Sequence, residues 1–90
     1  MRFVWDQEKA QQNLVKHGVS FEEASTAFGD PLSITRYDPD HSFDEDRYLL
    51  LGATYDCHLV VVSYTDRLDT VRIISARMAS RPERRTYGGD

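Results

Sequence analysis

The last quarter of the sequence is rich in arginine, the side chain best suited to binding phosphate. Residues 67–90 contain no lysine and six arginines: Arg67, Arg72, Arg77, Arg81, Arg84 and Arg85. Because a guanidinium group is planar and carries a fixed fork of donors, it can donate paired hydrogen bonds to the oxygens of one phosphate. Arginine is also common on ordinary solvated surfaces, so the residues alone leave both interpretations open.

A second candidate site lies near the start of the chain, where Asn13 is followed by Lys16, His17 and Gly18. Histidine is suited to proton transfer because its unperturbed pKa of roughly 6.5 is close to neutral pH. The alternative is structural, since Lys16 and His17 also complement the dipole at the C-terminal end of a helix.

Motifs of several common enzyme classes are absent from the sequence. It contains no Gly-rich phosphate loop, Cys-x-x-Cys pair, His-Glu-x-x-His or Gly-x-Ser-x-Gly motif. The histidines His17, His41 and His58 fall in three different predicted elements, which argues against a structural zinc site. His41 and Ser42 belong to an acidic stretch that we interpret as a polar surface loop. We therefore expect no metal and no cofactor, and the single Cys57 excludes an internal disulfide bond.

The charge of the chain is distributed unevenly. A formal net charge of −4 by itself argues against a nucleic-acid-binding protein. However, residues 1–66 hold five basic and twelve acidic side chains, a balance of −7, whereas residues 67–90 hold six and three, a balance of +3. Because local potential rather than net charge steers a phosphate-bearing ligand, this asymmetry predicts two functional faces.

Capping residues and apolar spacing predict three helices, over residues 6–17, 20–28 and 80–87. Asp6 can cap the first helix, and Gly18 can end it in the left-handed conformation. Capping boxes formed by Ser20-x-x-Glu23 and Ser80-x-x-Glu83 begin the other two helices. The third is expected to end at Gly88-Gly89.

Alternating apolar residues predict five strands, over residues 2–5, 32–37, 47–55, 58–65 and 70–78. The last three are joined by links short enough for hairpins, so we expect them to be antiparallel. The order is β-α-α-β-β-β-β-α, and a sheet of this size needs helices to bury one face. The sequence therefore predicts an α+β fold, with a small, mostly antiparallel sheet covered by two N-terminal helices and a short C-terminal helix.

The alternation of the last strand decides whether its two arginines can act together. In a regular strand every second side chain shares a face, which groups Arg72 with Ala76 and Arg77 with Ile73. Arg72 and Arg77 are then expected on opposite faces. A bulge, or the end of the strand near Arg77, would bring them closer.

The length and hydropathy of the chain restrict the classes of protein to which it can belong. Ninety residues are enough for one domain, 1–90, with a single thin core. No apolar run approaches the roughly 20 residues that span a membrane, and the first residues lack the apolar segment of a signal peptide. We therefore expect a cytoplasmic protein.

Six segments form a series of motifs. In chain order they are Asn13-x-x-Lys16-His17-Gly18-Val19-Ser20-Phe21-Glu22-Glu23-Ala24, Phe28-x-Asp30-Pro31, Asp38-x-x-His41-Ser42 with Arg47, Val60-Val61-Val62-x-Tyr64-Thr65-x-Arg67, Arg72-Ile73-Ile74-Ser75-Ala76-Arg77-x-Ala79 and Arg81-x-Glu83-Arg84-Arg85-x-Tyr87. Together they cover nearly the whole chain and resemble the BrnT family of bacterial ribonuclease toxins. The chain departs from the family pattern at Asp46, where glutamate is usual, and at Asp56-Cys57, where a glycine and a basic residue are usual.

The resemblance implies a compact RelE-like ribonuclease fold and cleavage of RNA that inhibits translation. It also implies neutralisation by a cognate BrnA-type antitoxin, which typically carries a ribbon-helix-helix DNA-binding domain. Promoter DNA is then expected to be contacted through the toxin–antitoxin complex, and no membrane partner is expected.

RNA cleavage suits these residues because RNA carries its own nucleophile, the 2′-hydroxyl. An enzyme must align that group, transfer protons and stabilise the developing charge, which needs no metal ion. We predict that Arg72 and Arg77 clamp the phosphate, with Lys16 and His17 opposite them. The predicted RNA-binding residues are Tyr64, Arg67 and Tyr87.

A different class of protein also fits the residues. The chain could be a non-catalytic interaction module whose arginine-rich C-terminal segment docks onto an acidic partner. A sequence-specific DNA-binding protein acting alone is disfavoured, because no helix–turn–helix recognition helix is evident.

Overall fold

Five strands form one mixed sheet, which the computed structural model describes with its flanking helices over residues 1–87. The strands are β1 (Arg2–Val4), β2 (Ile34–Tyr37), β3 (Arg47–Ala53), β4 (Leu59–Arg67) and β5 (Thr70–Met78). Their spatial order is β1-β5-β4-β3-β2, with β1 parallel to β5 and the other neighbours antiparallel. The predicted α+β class and the antiparallel order of the last three strands are confirmed.

Three α-helices flank the sheet: α1 (Gln7–His17), α2 (Phe21–Thr26) and α3 (Arg81–Thr86). The Asp6 side chain accepts hydrogen bonds from the first turn of α1, and Gly18 ends this helix with a φ of 71°, as predicted. The second helix is shorter than predicted because Ala27–Gly29 tighten into a 3₁₀ turn. The predicted helix end at Gly88-Gly89 lies outside the described residues. No helix within residues 1–87 is long and apolar enough to cross a membrane.

The core lies between the sheet and the two N-terminal helices. Phe21 of α2 and Val60, Val62 and Ile73 of the central strands are fully buried in it. Each such side chain contributes on the order of 1.5–3 kcal/mol by leaving water. Val61 is buried on the opposite face, because β4 is the middle strand of the sheet.

An irregularity in β5 changes which of its side chains share a face. Ile73 lies opposite Tyr64 and Ser75 lies opposite Ser63, so Ile74 is an extra residue in β5. Such a bulge shifts the alternation of side chains by one position. The alternation of a regular strand therefore does not apply beyond Ile73, and the bulge that the sequence left open is present. The β5 residues that face α1 and α2 are Val71, Ile73, Ala76 and Met78.

The side chain of Asn13 pairs with the outer edge of β5. Strand β1 pairs only with the first part of β5, which leaves Ala76 on an open edge. Asn13 Nδ2 donates to the carbonyl oxygens of Ala76 and Val19 at 2.8 and 3.0 Å, and its Oδ1 accepts from the Ala76 N–H at 3.1 Å. Because these groups are buried, each one left unpaired would cost about 1–3 kcal/mol. Asn13 thereby fixes the C-terminal half of α1 against β5.

The two Ser-x-x-Glu motifs behave differently. Ser80 and Glu83 form the complete capping box that was predicted for α3. Ser20 caps α2 by accepting from the Glu23 N–H at 3.0 Å, but the Glu23 carboxylate binds elsewhere. It accepts hydrogen bonds from Thr54 and His58 on the β3–β4 hairpin, so only half of the first predicted box is present.

Candidate functional site

Arg72 and Arg77 project from the same face of the sheet, the one opposite α1 and α2. Residues that lie directly opposite each other in a ladder point to the same side. Arg72 lies opposite Thr65 and Arg77 lies opposite Val61, and these two partners are four positions apart on β4. The extra residue, Ile74, is what brings both arginines to one face. Of the two arrangements that the sequence left open, the structure has the one with a bulge.

Every strand contributes an arginine to this side, which we call the arginine face. Its members are Arg2, Arg36, Arg47, Arg67, Arg72 and Arg77. Asp66 is the one acidic residue in the five strands, all of which lie within residues 1–87. It lies opposite Val71 and so belongs to the helix-covered side. Strand alternation thus gathers positive charge on one face of an acidic protein.

The arginines differ in how free their guanidinium groups are. Arg67 donates to Glu45 from Nε at 3.1 Å and from one terminal nitrogen, and Arg77 donates to both carboxylate oxygens of Glu83 at 2.8 and 2.9 Å. Arg72 is exposed and forms no salt bridge within residues 1–87. Of the two predicted phosphate-clamping arginines, Arg72 therefore has the fork that is available to a ligand.

The Arg77–Glu83 pair joins β5 to α3. Glu83 also accepts from the Ser80 N–H at 2.7 Å, which closes the capping box. Hydrogen bonds from Arg77 lower the pKa of Glu83 to about 2, against the opposing effect of partial burial. A phosphate must compete with this carboxylate to reach the Arg77 fork.

The spacing of the two arginines affects how they could hold RNA. Because their partners on β4 are four residues apart, the backbones of Arg72 and Arg77 lie about 13 Å apart along the sheet. That distance suits contact with different phosphates of one RNA strand better than a shared grip on a single phosphate.

The C-terminal end of α1 lies beside the arginine face. Lys16 and His17 line a shallow depression of about 200 Å³ together with Ile74 and Ser75 of β5. Ser75 lies opposite Ser63 of β4, on the same side as Arg72 and Arg77. Lys16 is exposed and His17 is half-buried. The four predicted catalytic residues therefore come from two adjacent elements, α1 and β5.

Tyr64 lies in the core rather than on the arginine face. It is 7% exposed, stacks on Tyr48 with ring centroids 5.7 Å apart, and meets the edge of Phe28 at 4.9 Å. Burial raises the pKa of its hydroxyl. Its position was readable from alternation, because Tyr64 is in phase with the buried Val60 and Val62. The structure thus leaves Tyr64 little surface for the RNA contact that we predicted.

Tyr87 anchors the end of α3. Its hydroxyl donates to Asp30, which also accepts from the N–H groups of Leu32 at 3.0 Å and Ala53 at 2.8 Å. Partial burial by itself would raise the pKa of Asp30, but these hydrogen bonds hold it below its usual value. The hydroxyl of Tyr87 is therefore engaged within the fold, and its contact with RNA stays a prediction.

No site role was predicted for Arg2, Arg36 and Arg47, although Arg47 belongs to one of the six motifs. The face to which each of these side chains points follows from the register of its strand with the neighbouring strand. Alternation within their own strands could have indicated this face for two of them, since Arg36 and Arg47 alternate with residues that face the helices. Within residues 1–87, no group of three or more His, Cys, Asp or Glu side chains is arranged to hold a metal ion.

The chain is similar to known proteins over most of its length. A crystal structure of the Brucella abortus ribonuclease toxin, BrnT, matches its fold with a TM-score of 0.64 and 24% sequence identity, over 90% of this chain and 99% of that chain. No curated protein matches the sequence. A family model for the ribonuclease toxin BrnT of type II toxin–antitoxin systems matches residues 5–83. Because this match covers most of the sequence, the chain belongs to the BrnT family of ribonuclease toxins.

Proposed function

We propose that the chain is a metal-independent endoribonuclease that binds the RNA backbone on its arginine face and inhibits translation in the cytoplasm. The observation that carries the proposal is the bulge at Ile74. Because of it, Arg72 and Arg77 share a face with the other strand arginines, and Lys16 and His17 line a depression with Ile74 and Ser75 of the same strand. A single face that collects cations provides the potential needed to hold a polyanion.

In the proposed reaction, the 2′-oxygen of RNA attacks the adjacent phosphorus and the bond to the 5′-oxygen breaks. His17 accepts the proton of the 2′-hydroxyl and, once protonated, returns a proton to the leaving 5′-oxygen. Arg72 and Lys16 stabilise the extra negative charge on the phosphate oxygens. The products are a 2′,3′-cyclic phosphate and a 5′-hydroxyl, and no metal ion is required.

The remaining arginines bind rather than react. Arg67 lies on the arginine face and donates to Glu45. We propose that an RNA phosphate replaces the Glu45 carboxylate as the partner of the Arg67 guanidinium. Arg77 contributes its positive charge while Glu83 keeps it oriented. Tyr87, at the end of α3, contacts the RNA at the edge of this surface.

We further propose that the partner is a BrnA-type antitoxin with a ribbon-helix-helix domain, and that promoter DNA is bound through the complex. Membership of a type II toxin family supports a protein antitoxin. Induced expression of the chain alone should arrest growth, and co-expression of the small protein encoded in the neighbouring reading frame should relieve it. Normal growth at high expression of folded chain contradicts this proposal.

Cleavage by the purified chain tests the chemistry directly. We expect RNA to be cut at the same rate with and without excess EDTA, leaving 2′,3′-cyclic phosphate ends that primer extension and end-labelling can map. Loss of cleavage in EDTA, with recovery on adding magnesium, contradicts the metal-free mechanism.

A further inference from the structure

The arginine face also carries an apolar groove, which lies between α3 and the strands β2, β3 and β4. The groove has a volume of about 340 Å³. Its apolar lining and α3 wall consist of Ile34, Leu49, Leu51, Val61, Pro82 and Thr86. Ile34 lies opposite Leu51, which lies opposite Val61, so these three side chains point away from α1 and α2. Ile34 remains 37% exposed at the edge strand of the sheet.

The surroundings of the groove are positively charged. Arg36 lines it from β2, and the exposed Arg85 lies next to Thr86 on α3. Glu83 also lines it, but both of its carboxylate oxygens accept hydrogen bonds from Arg77. Among residues 1–87, the one acidic group that lines the groove is thus already neutralised, and the rim favours an occupant with negative charge.

The apolar lining distinguishes this groove from the rest of the arginine face. RNA bases stack on aromatic rings and RNA phosphates need cations, whereas the groove floor offers aliphatic side chains. A protein segment that places apolar side chains on the floor and carboxylates at the rim satisfies both features at once.

We propose that this groove is the docking site for a protein segment that combines apolar and acidic side chains, and that the segment belongs to the antitoxin. The identity of the partner rests on the proposed function. Because the groove and Arg36 belong to the arginine face, a bound segment also occupies part of the surface that we propose to bind RNA. Neutralisation then follows from competition for one face.

Two substitutions test the groove in the complex formed with the small protein of the neighbouring reading frame. Ile34→Ser removes an apolar contact without adding charge, and Arg36→Glu reverses the charge at the rim. We expect Kd for that protein to rise about tenfold and about 100-fold, respectively. Val15→Ser is the matched control because Val15 is an 85% exposed apolar residue of α1, and it should leave Kd within about twofold.

Thermal melts identify any variant that is not folded. If the melting temperature of Ile34→Ser falls well below that of wild type, Kd for Arg36→Glu decides the test. Hydrogen exchange should show protection of residues 34–37, 49–51 and 81–87 in the complex. The Ile34→Ser chain should still arrest growth but be rescued less well by its partner.

The outcomes separate the two proposals. Unchanged Kd in both groove variants, with protection confined to α1 and α2, overturns the docking site and leaves the ribonuclease proposal intact. A chain that neither arrests growth nor cuts RNA contradicts the ribonuclease proposal, even if the groove binds the neighbouring protein. Failure of that protein to bind at all overturns the docking site.

Discussion

The two faces of the sheet are built from the same strands but have opposite chemistry. Strand β4 contributes Val62 and Tyr64 to the helix-covered face and Arg67 to the arginine face. The centre of the helix-covered face is aromatic and aliphatic, and its side chains, such as Val62 and Ile73, are buried. The arginine face keeps its charges accessible at one end and is covered by α3 at the other. Alternation along a strand thus allows one short chain to separate a packed apolar face from a positively charged one.

This separation predicts that substitutions on the helix-covered face change the free energy of unfolding, whereas those on the arginine face change activity. The elements that link the two faces, Asn13 and the Arg77–Glu83 pair, should change both. The following experiments test that division, beginning with the largest expected effect.

Replacing Tyr64 tests the helix-covered face. Tyr64→Ala should reduce the free energy of unfolding by about 3–5 kcal/mol, because it removes a buried ring that packs on two others. Tyr64→Phe keeps the ring and should stay within about 1 kcal/mol of wild type. Urea unfolding and RNA cleavage should be measured together. Full stability with weak cleavage in Tyr64→Phe would instead indicate a hydroxyl that contacts RNA.

Replacing Arg72 tests the arginine face. Arg72→Ala should slow cleavage by about 10²–10³, since a charged donor aimed at the developing phosphate charge lowers the barrier by about 2–4 kcal/mol. Its melting temperature should match wild type because Arg72 is exposed. Arg84→Ala removes an exposed arginine of α3 and should cut at the normal rate. Equal rates for both variants would move the reactive site away from β5.

Asn13→Ala should affect both faces. It leaves the buried N–H and carbonyl of Ala76 without a partner, at a cost of about 2–3 kcal/mol in unfolding free energy. Cleavage should also fall, since Lys16 and His17 lose their support. Gln12→Ala, at an exposed neighbouring position, should stay within about 0.5 kcal/mol. Wild-type stability in Asn13→Ala contradicts the edge-pairing role.

The Arg77–Glu83 pair should make stability depend on pH. The pKa of Glu83 is lowered to about 2 in the folded chain, so its contribution is complete above its unfolded pKa, near 4.5, and is lost as the pH falls toward 2. Glu83→Gln should cost about 1–2 kcal/mol at pH 7, with allowance for solvent screening, and the difference from wild type should shrink by pH 3. Urea unfolding at several pH values measures this.

The same pair separates a structural from a catalytic role of Arg77. If Arg77 only holds Glu83, then Arg77→Ala and Glu83→Gln lose similar stability and keep similar cleavage rates. If Arg77 also acts on phosphate, as we propose, cleavage should fall in Arg77→Ala and persist in Glu83→Gln.

The smallest effect is expected at the β3–β4 hairpin, which belongs to neither face. Cys57 has a φ of 65°, a conformation that costs a residue with a side chain about 1 kcal/mol and suits glycine at this turn position. Cys57→Gly should raise the unfolding free energy by about 0.5 kcal/mol, after the entropy lost by glycine on folding. Cleavage should be unchanged. A lower melting temperature would show that the Cys57 side chain makes a stabilising contact.

Much of the fold was readable from the sequence because its signals are local. The cap at Asp6, the left-handed Gly18 and the box of Ser80 and Glu83 act within a few residues, and each was predicted correctly. For the predicted box of Ser20 and Glu23, only the cap by the Ser20 side chain is confirmed. Its Glu23 reaches Thr54 and His58, and no local rule weighs a partner that lies more than 30 residues away in sequence.

The order of the elements, the caps at Asp6, Gly18 and Ser80, and the concentration of arginine near the C-terminus could all be predicted from the sequence. Which arginines share a face depends instead on how β5 pairs with β4. The bulge at Ile74 is defined by the register in which β5 pairs with β4. Asn13 forms its hydrogen bonds with Ala76, two residues after the bulge. A one-residue change in register moves every later side chain to the other side, so alternation in one strand cannot reveal it. The occupation of Arg77 by Glu83 and the burial of Tyr64 likewise follow from packing between distant segments.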